Sequence, residues 1–455
     1  MFDGFLRVAA ATPDIRVADC NFNGASAAAL VSEAYEQGVS LLVLPELCLT
    51  GYTCSDLFLQ ESLLDGAVKA LLTLTEATRD KNMVVLAGLP LTVNGVLYNV
   101  AAVLHDGDIL GFVPKSYLPT YSEFYEGRHY HSGADIEADV LFNGRTYPFG
   151  TRLLFRCCQM PAFTLGIEIC EDLWVAQPPS ISHALAGATV IANLSASDET
   201  TGKDIYRRSL VSGQSARLVC GYIYADAGEG ESSTDLVFGA HNLICENGSI
   251  LAESERFSNQ MIMADMDMSK LISERRRMTT WQPKFDNGYR VIDFDLEMHE
   301  VDLRRFIDPH PFVPDDAMDR TRRCEEILTI QAMGLKKRLA HTHCRHAVVG
   351  ISGGLDSTLA LLVTVRAFDM LDMDRSQIMA VTMPCFGTTD RTYHNACELV
   401  RRLGATLEEV DIKEAVTLHF SDIGQDPANH DVTYENGQAR ERTQVLMDIA
   451  NRLGG

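Results

Sequence analysis

The stretch "VVGISGGLDSTLALL" (348–362) decides half of the fold. An apolar run at 348–351 ends in Ser352, Gly353 and Gly354. Asp356 and Ser357 follow, and apolar residues then recur at helical spacing. Two glycines at the exit of a buried strand let the backbone turn tightly and leave N–H groups pointing outward. The next helix adds its positive end, so the stretch forms an anion cradle. Ser352 and Ser357 add hydroxyl donors. Asp356 does not favour a bare phosphate, so it is expected to meet a magnesium ion riding on phosphates. Short glycine motifs also occur in ordinary strand–turn–helix connections.

Working outward, "CEEILTIQAMGLKKRLAHT" (324–342) places Leu328, Leu335 and Leu339 on one face and predicts a helix. "HAVVGI" (346–351), "QIMAVTMP" (377–384) and "TLEEVDI" (406–412) read as strands separated by helical stretches. That alternation predicts a parallel sheet.

The first 270 residues predict a separate layered α/β unit. "FLRVAAA" (5–11), "LLVL" (41–44), "MVVLAGL" (83–89), "FTLGIEI" (163–169), "TVIANLS" (189–195), "GYIYADA" (221–227), "LVFGAHNLI" (236–244) and "MIMADMD" (261–267) read as strands. The stretch "NGASAAALVSEAYEQGVS" (23–40) reads as a helix that Gly38 ends. Hairpin signals at 94–95 and 106–108 flank "VLYNVAAVLH". Helices intervene between only some strands, which suggests sheets each covered on one side. Residues 271–322 are charged, proline-containing and aperiodic, and read as a linker to a unit at 323–455. No internal repeat is visible.

Composition limits the function classes. Asp+Glu 62 against Lys+Arg 39 gives a formal charge of -23. So acidic a surface argues against nucleic acid or an anionic membrane as the main partner. The first residues carry neither the basic start nor the apolar core of a signal peptide. No apolar run approaches the ~20 residues of a membrane span. The 12 cysteines form no CxxC pair and read as reduced thiols, which points to the cytoplasm.

The full Ser-Gly-Gly-Leu-Asp-Ser string resembles the pyrophosphate loop of the N-type ATP pyrophosphatases, which adenylate a carbonyl oxygen and let ammonia displace AMP. That resemblance implies ATP binding at Ser352, Gly353, Gly354, Asp356, Ser357 and Met383, with Mg2+ on Asp356. "YENGQARERTQVLMDIAN" (434–451) resembles the Glu-Asn-x-Gln-Ala-Arg helix of the NAD synthetases. It implies that Glu435, Asn436 and Arg440 contact deamido-NAD. "TMPCFGTTDRTYHNA" (382–396), after the second strand, is also similar to that family.

In the first unit, "LLVLPELCLTGY" places Glu46 just beyond a buried strand, and "LGIEICEDLW" places Cys170 at the end of another. "GFVPKSYLPTYSEFYE" carries Lys115, Tyr121 and Glu123. A thiol needs a base to become a nucleophile, and a lysine can stabilise the forming oxyanion. Taken singly, Cys170 reads as a buried thiol, and Glu46 and Lys115 as surface charges. Together they resemble the Glu-Lys-Cys site of the nitrilase superfamily, with Glu123 as its extra carboxylate. "LSASDETTGK" (194–203) is similar to the glutamine-holding segment of the glutaminase branch and nominates Ser197 and Lys203.

These resemblances imply a nitrilase-like α-β-β-α sandwich joined to a Rossmann-like parallel-sheet domain of the adenine nucleotide α hydrolase type. They imply glutamine-dependent amidation of deamido-NAD with ATP cleaved to AMP and pyrophosphate. The substrates expected are glutamine, deamido-NAD and ATP, and a homo-oligomer is the expected state. A stand-alone nitrilase-type amidase and another amidotransferase such as GMP synthetase stay open as alternatives.

Only 104 residues run from Ser352 to Gly455, and they hold two strand candidates after the loop. The family's Gly-Thr-Gly-Asp-Leu-Ser-Glu-like strand end, with its second acidic magnesium ligand, is not among them. The expectation is therefore an incomplete second domain, belonging to a longer synthetase. Such a chain is expected to keep glutaminase chemistry at best and to make no NAD, with residues after about 345 poorly ordered or covered by a partner.

Overall fold

The computed structural model describes residues 4–284, 288–386 and 390–455. Two compact units divide the chain, Met1–Phe306 and Ile307–Gly455.

In the first unit the chain runs through β1 (Phe5–Ala11), α1 (Cys20–Glu36), β2 (Leu41–Val43), α2 (Glu61–Ala77), β3 (Val84–Val93), β4 (Val96–His105), β5 (Asp108–Pro114), β6 (Glu137–Phe142), β7 (Arg145–Gly150) and β8 (Leu153–Cys157). It continues through β9 (Thr164–Ile169), α3 (Pro179–Ala186), β10 (Val190–Ser195), α4 (Lys203–Leu218), β11 (Gly221–Asp226), β12 (Leu243–Glu246), β13 (Ser249–Glu253), β14 (Met261–Asp267), α5 (Met268–Arg277) and β15 (Arg290–Phe294). One sheet has the order β14-β1-β2-β3-β4-β5-β7-β6 and the other β13-β12-β11-β10-β9-β8-β15.

Side-chain alternation along each strand explains the layering. In β1, Leu6, Val8 and Ala10 join the core that also holds Leu165, Ile167 and Ile169 of β9, so the two sheets pack face to face. Ala9 and Ala11 join a second core with Ala27, Val31 and Leu71 of α1 and α2. On the far side, Ile191 and Tyr222 pack with Ala184 of α3 and Val211 of α4. The result is an α-β-β-α sandwich. Because both faces of these strands are covered, they read as continuous apolar runs.

Two readings of the sequence need correction in this unit. The stretch 236–244 is extended only from Leu243, because Ala240 adopts φ +50° and breaks the ladder. The segment 271–322, read as a linker, contains β15, which pairs in parallel with β8 over five residues. Its charges do not oppose this, since β15 is an edge strand whose Asp293 meets Arg156 at 2.8 Å and whose Arg290 meets Asp139 at 2.5 Å.

The second unit comprises α6 (Ala317–Thr342), β16 (Ala347–Gly350), α7 (Leu355–Asp369), β17 (Ile378–Thr382), α8 (Asp390–Leu403), β18 (Thr406–Glu409), α9 (Lys413–Ile423) and α10 (Val432–Leu453). Its strands form a parallel sheet in the order β16-β17-β18. Leu361, Val365 and Phe368 of α7 pack with Leu339 of α6 on one side, and Val416, Phe420 and Ile449 of α9 and α10 fill the other. Helices thus cover both faces of the parallel sheet that the strand–helix alternation predicts. No helix among the described residues is long and apolar enough to cross a membrane.

Candidate functional site

Glu46, Lys115 and Cys170 come from three different strand ends and meet in the interior of the first unit. Glu46 follows β2, and its approach depends on Gly88 of β3. A Cβ there would lie 2.7 Å from Pro45 O and 2.8 Å from the Glu46 carbonyl carbon. Glu46 Oε1 accepts hydrogen bonds from Lys115 Nζ and from Asn99 Nδ2, both at 2.6 Å. Its Oε2 accepts from the Ala196 backbone N–H at 3.0 Å.

Lys115 follows β5 directly, and its side chain is fully buried. Its ammonium donates to Glu46 and, also at 2.6 Å, to Glu126 Oε1. Burial by itself would lower the Lys115 pKa. The adjacent Glu126 and Glu46 carboxylates more than offset this, so it lies well above its ordinary value and the ammonium stays charged. Glu126 shifts upward, because burial and Glu46 outweigh Lys115. Its Oε1 also accepts from the Tyr52 hydroxyl at 2.8 Å, while its buried Oε2 has no hydrogen-bond partner.

The carboxylate that joins Lys115 is thus Glu126 and not Glu123. The chain after Lys115 loops outward, and the Glu126 N–H returns to Pro119 O at 3.1 Å before a short 3-10 turn over Glu126–Arg128. Glu123 stays half-buried in that loop. A cavity of about 360 Å³ reaches this side of the cluster, lined by Tyr52, Phe58, Glu123, Glu126, Tyr130 and Leu236.

Cys170 directly follows β9 with φ +45°, a left-handed conformation that costs a non-glycine residue on the order of 1–3 kcal/mol. Its N–H donates to Asn193 Oδ1 at 2.9 Å. Burial pushes the thiol well up, Glu46 pushes it further, and Lys115 opposes the rise. At rest the thiol is therefore protonated and needs a base when substrate arrives. Asp172, two residues on, accepts from the backbone N–H groups of Ile169 at 3.0 Å and Tyr117 at 2.8 Å. It ties the cysteine turn to the lysine segment.

Tyr121 is exposed and donates its hydroxyl to Glu171 at 2.8 Å. Ser197 is buried; its N–H donates to Asp226 at 2.8 Å, and its Oγ accepts from Arg207 at 3.2 Å. Lys203 opens α4 and pairs with Asp198, and its ammonium sits 5.4 Å from the Trp174 ring centre and 5.8 Å from that of Phe124.

In the second unit, Gly353 has φ +81°, and a Cβ there would overlap the Thr392 carbonyl oxygen. Only glycine fits this turn. Gly354 caps α7, and Ser352 and Ser357 face each other with their Oγ atoms 3.2 Å apart. Asp356 is exposed in the first turn of α7. Ser352, Met383, Tyr434, Glu435 and Gln438 share a cavity of about 560 Å³. Asn436 and Arg440 line a different groove, with Ala439 and Thr443, because helical spacing turns them away from Glu435. Of the stretch 382–396, residues 387–389 lie outside the described residues.

Glu126, Tyr52, Asp172 and Asn193 escaped the sequence reading. Tyr52 and Glu126 lie outside strands, and Asn193 is hidden in the apolar run of β10.

The chain matches the carbon-nitrogen hydrolase family over residues 7–276 and the NAD synthase family over residues 327–455. It is 43% identical to the glutamine-dependent NAD(+) synthetase of Mycobacterium tuberculosis over 466 aligned positions, covering 99% of this chain and 69% of that protein. Against the Mycobacterium leprae protein of the same name the identity is 42%, covering 99% of this chain and 68% of that one. The fold resembles the crystal structure of a glutamine-dependent NAD(+) synthetase from Cytophaga hutchinsonii, with a TM-score of 0.53, 22% identity and coverage of 98% of this chain and 73% of that one. It also resembles that from Acinetobacter baumannii in complex with ADP, with a TM-score of 0.50, 24% identity and coverage of 99% and 73%. With both unit folds in place and a relative this similar along its length, the chain belongs to the glutamine-dependent NAD(+) synthetase family.

Proposed function

We propose that the first unit hydrolyses glutamine at Cys170 and that the second unit binds ATP and deamido-NAD for amidation by the ammonia released. The observation that carries this reading is the buried Lys115 ammonium held between Glu46 and Glu126 beside the Cys170 thiol. Glu46 takes the thiol proton as Sγ attacks the side-chain amide carbon of glutamine. Lys115 faces the oxyanion that develops, in a site where water is excluded and charge stabilisation is strong. Glu46 then returns the proton to the departing ammonia, leaving a thioester that water hydrolyses to glutamate. Ser197 and Lys203 are proposed to meet the α-amino and α-carboxylate end of glutamine, and Tyr121, bonded to Glu171 next to the nucleophile, is proposed to belong to the catalytic site.

In the second unit, the Ser352–Ser357 loop is proposed to hold the pyrophosphate end of ATP, with Met383 beside it. Glu435 faces the same cavity and is proposed to contact deamido-NAD; Asn436 and Arg440 are proposed to do so from the neighbouring groove. No group of three or more His, Cys, Asp or Glu residues that could hold a metal occurs among the described residues. Asp356, exposed in the first turn of α7 beside the loop, is proposed to meet a magnesium ion that arrives on the phosphates. Magnesium would neutralise phosphate charge there. All twelve thiols are free, which supports the cytoplasm as the place of work.

The test is glutamate release by Cys170→Ala. The variant is expected to keep its fold and lose the activity; turnover at the parent rate overturns the assignment. ATP–pyrophosphate exchange that depends on deamido-NAD separates this function from a stand-alone amidase and from a GMP synthetase.

A further inference from the structure

A polar group crosses three adjacent strands beneath the cysteine turn, and nothing in the reaction above uses it. Glu168 of β9, Asn193 of β10 and Tyr222 of β11 are all buried. Asn193 is the direct cross-strand partner of Glu168. Alternation puts the three side chains on the sheet face that looks toward α3 and α4, whereas Ile169, Ala192 and Leu194 look toward the other sheet. Packing alone would favour apolar residues at such positions, since an unpaired polar group there is costly. Here the groups are linked. The Tyr222 hydroxyl donates to Glu168 Oε1, and Glu168 Oε2 accepts from the Ser180 N–H at 2.8 Å.

The chain of donors has a direction. Tyr222 has a single proton, which is committed to Glu168, so its oxygen offers only a lone pair to Asn193. Asn193 Nδ2 reaches it at 3.3 Å. That contact fixes the carboxamide with its NH2 toward the phenol and its oxygen toward Cys170. The oxygen accepts from the Cys170 N–H at 2.9 Å, and Nδ2 also approaches Cys170 O at 3.4 Å. One side chain thus grips both backbone polar groups of a residue held at φ +45°.

We infer that Asn193 is a positioning residue for the nucleophile: its carboxamide holds the left-handed Cys170 turn that presents Sγ, and Tyr222, anchored on Glu168, holds the carboxamide. This rests on the reading of Cys170 as the glutaminase nucleophile. Asn193 touches no reacting atom. It acts by keeping the thiol where Glu46 and Lys115 can serve it. A filler of the core would change stability when replaced and leave turnover alone; a positioning residue changes turnover.

The experiment compares Asn193→Leu, Asn193→Asp and Tyr222→Phe with the parent 455-residue chain. It reads glutamine kcat and KM, thermal midpoint, and the rate at which iodoacetamide alkylates Cys170, followed on its peptide by mass spectrometry. In the Asn193 variants kcat is expected to fall roughly a hundredfold, and in Tyr222→Phe roughly tenfold, as misplacement of a reacting group implies. KM should stay within about threefold, because the glutamine contacts are untouched. Alkylation of Cys170 should slow in parallel with kcat. Folded Asn193 variants with parent kcat overturn the inference. Should those variants fail to fold, Tyr222→Phe decides, and parent values of kcat and alkylation in that variant overturn it equally. Cys170→Ala separates the two readings. If it is inactive while the Asn193 and Tyr222 variants run at the parent rate, this inference alone fails. If it still releases glutamate at the parent rate, the nucleophile assignment fails and this inference with it.

Discussion

The ammonium of Lys115 and the carboxylate of Glu126 meet at 2.6 Å with side-chain exposures of 0% and 4%. Removing the cation strands Glu126 and Glu46 together in the interior. Lys115→Met is expected to cost about 3–5 kcal/mol of stability, the penalty of breaking a buried pair from one side. It should also lower glutaminase turnover by roughly a hundredfold or more. Adding Glu126→Gln should recover part of the stability and none of the activity. Urea unfolding and glutamate release check both; an active Lys115→Met would remove the lysine from the chemistry.

Gly88 bears on the same cluster from the backbone side. A Cβ at this position would lie 2.7 Å from Pro45 O and would press on the segment that carries Glu46. Gly88→Ala is expected to destabilise by about 1–3 kcal/mol, as overpacking does, and to lower kcat more than it raises KM. Steady-state kinetics with a parallel melting curve would show this, and parent kcat in a destabilised variant would separate packing from catalysis.

Two buried groups give opposite slopes of stability against pH. Burial holds His183 down from 6.5 to about 4, so the folded state refuses a proton that the unfolded state accepts. Its contribution is complete above pH 6.5 and is lost as pH falls toward 4, amounting to about 3 kcal/mol. Burial pushes Asp226 up from 3.8 to about 7 against the pull of Arg207. The folded state keeps that proton while the unfolded state releases it, so stability falls as pH rises from about 4 to 7. Relative to the parent, His183→Gln should gain stability as pH drops through its window, and Asp226→Asn should gain as pH rises through its own. Urea midpoints between pH 4.5 and 7 decide, and variants that run parallel to the parent would contradict both assignments.

In the second unit, Gly353 combines φ +81° with close approach to Thr392 O. Gly353→Ala is expected to weaken ATP binding roughly tenfold or more, the equivalent of the strain imposed on the loop. Glutamate release should remain at the parent rate. Calorimetric titration with ATP and magnesium tests this, and parent affinity would exclude the loop from the nucleotide site. Asp356→Ala should weaken the same titration only when magnesium is present.

Much of this was legible because the groups concerned sit where strand patterns end. Glu46, Lys115 and Cys170 each follow an apolar run, and the loop at 352–357 announces itself by two glycines between a strand and a helix. Glu126 was missed because a loop of unpredictable length lies between it and Lys115, and Glu123 took its place in the sequence reading. Asn193 was missed because one amide within "VIANLS" does not interrupt the apolar run. The strand β15 was missed because its charged residues are paired with neighbouring strands, Asp293 with Arg156 of β8 and Arg290 with Asp139 of β6, so a polar sequence and strand pairing coexist. The hairpin of β6 and β7 carried an Asn143-Gly144 signal that was not read.

The pairing of β1 with β14 also sets a timetable for synthesis. All seven residues of β1 are matched by Met261–Asp267, and β1 lies between β14 and β2. At ~5–20 residues per second, roughly a quarter of a minute to a minute passes between the making of β1 and the arrival of its outer neighbour. Until then a strand of almost wholly apolar residues has one open edge. Folding of the first unit on the ribosome must therefore wait for its last strands, and the nascent chain spends that interval as a client for whatever shields exposed β edges in the cell.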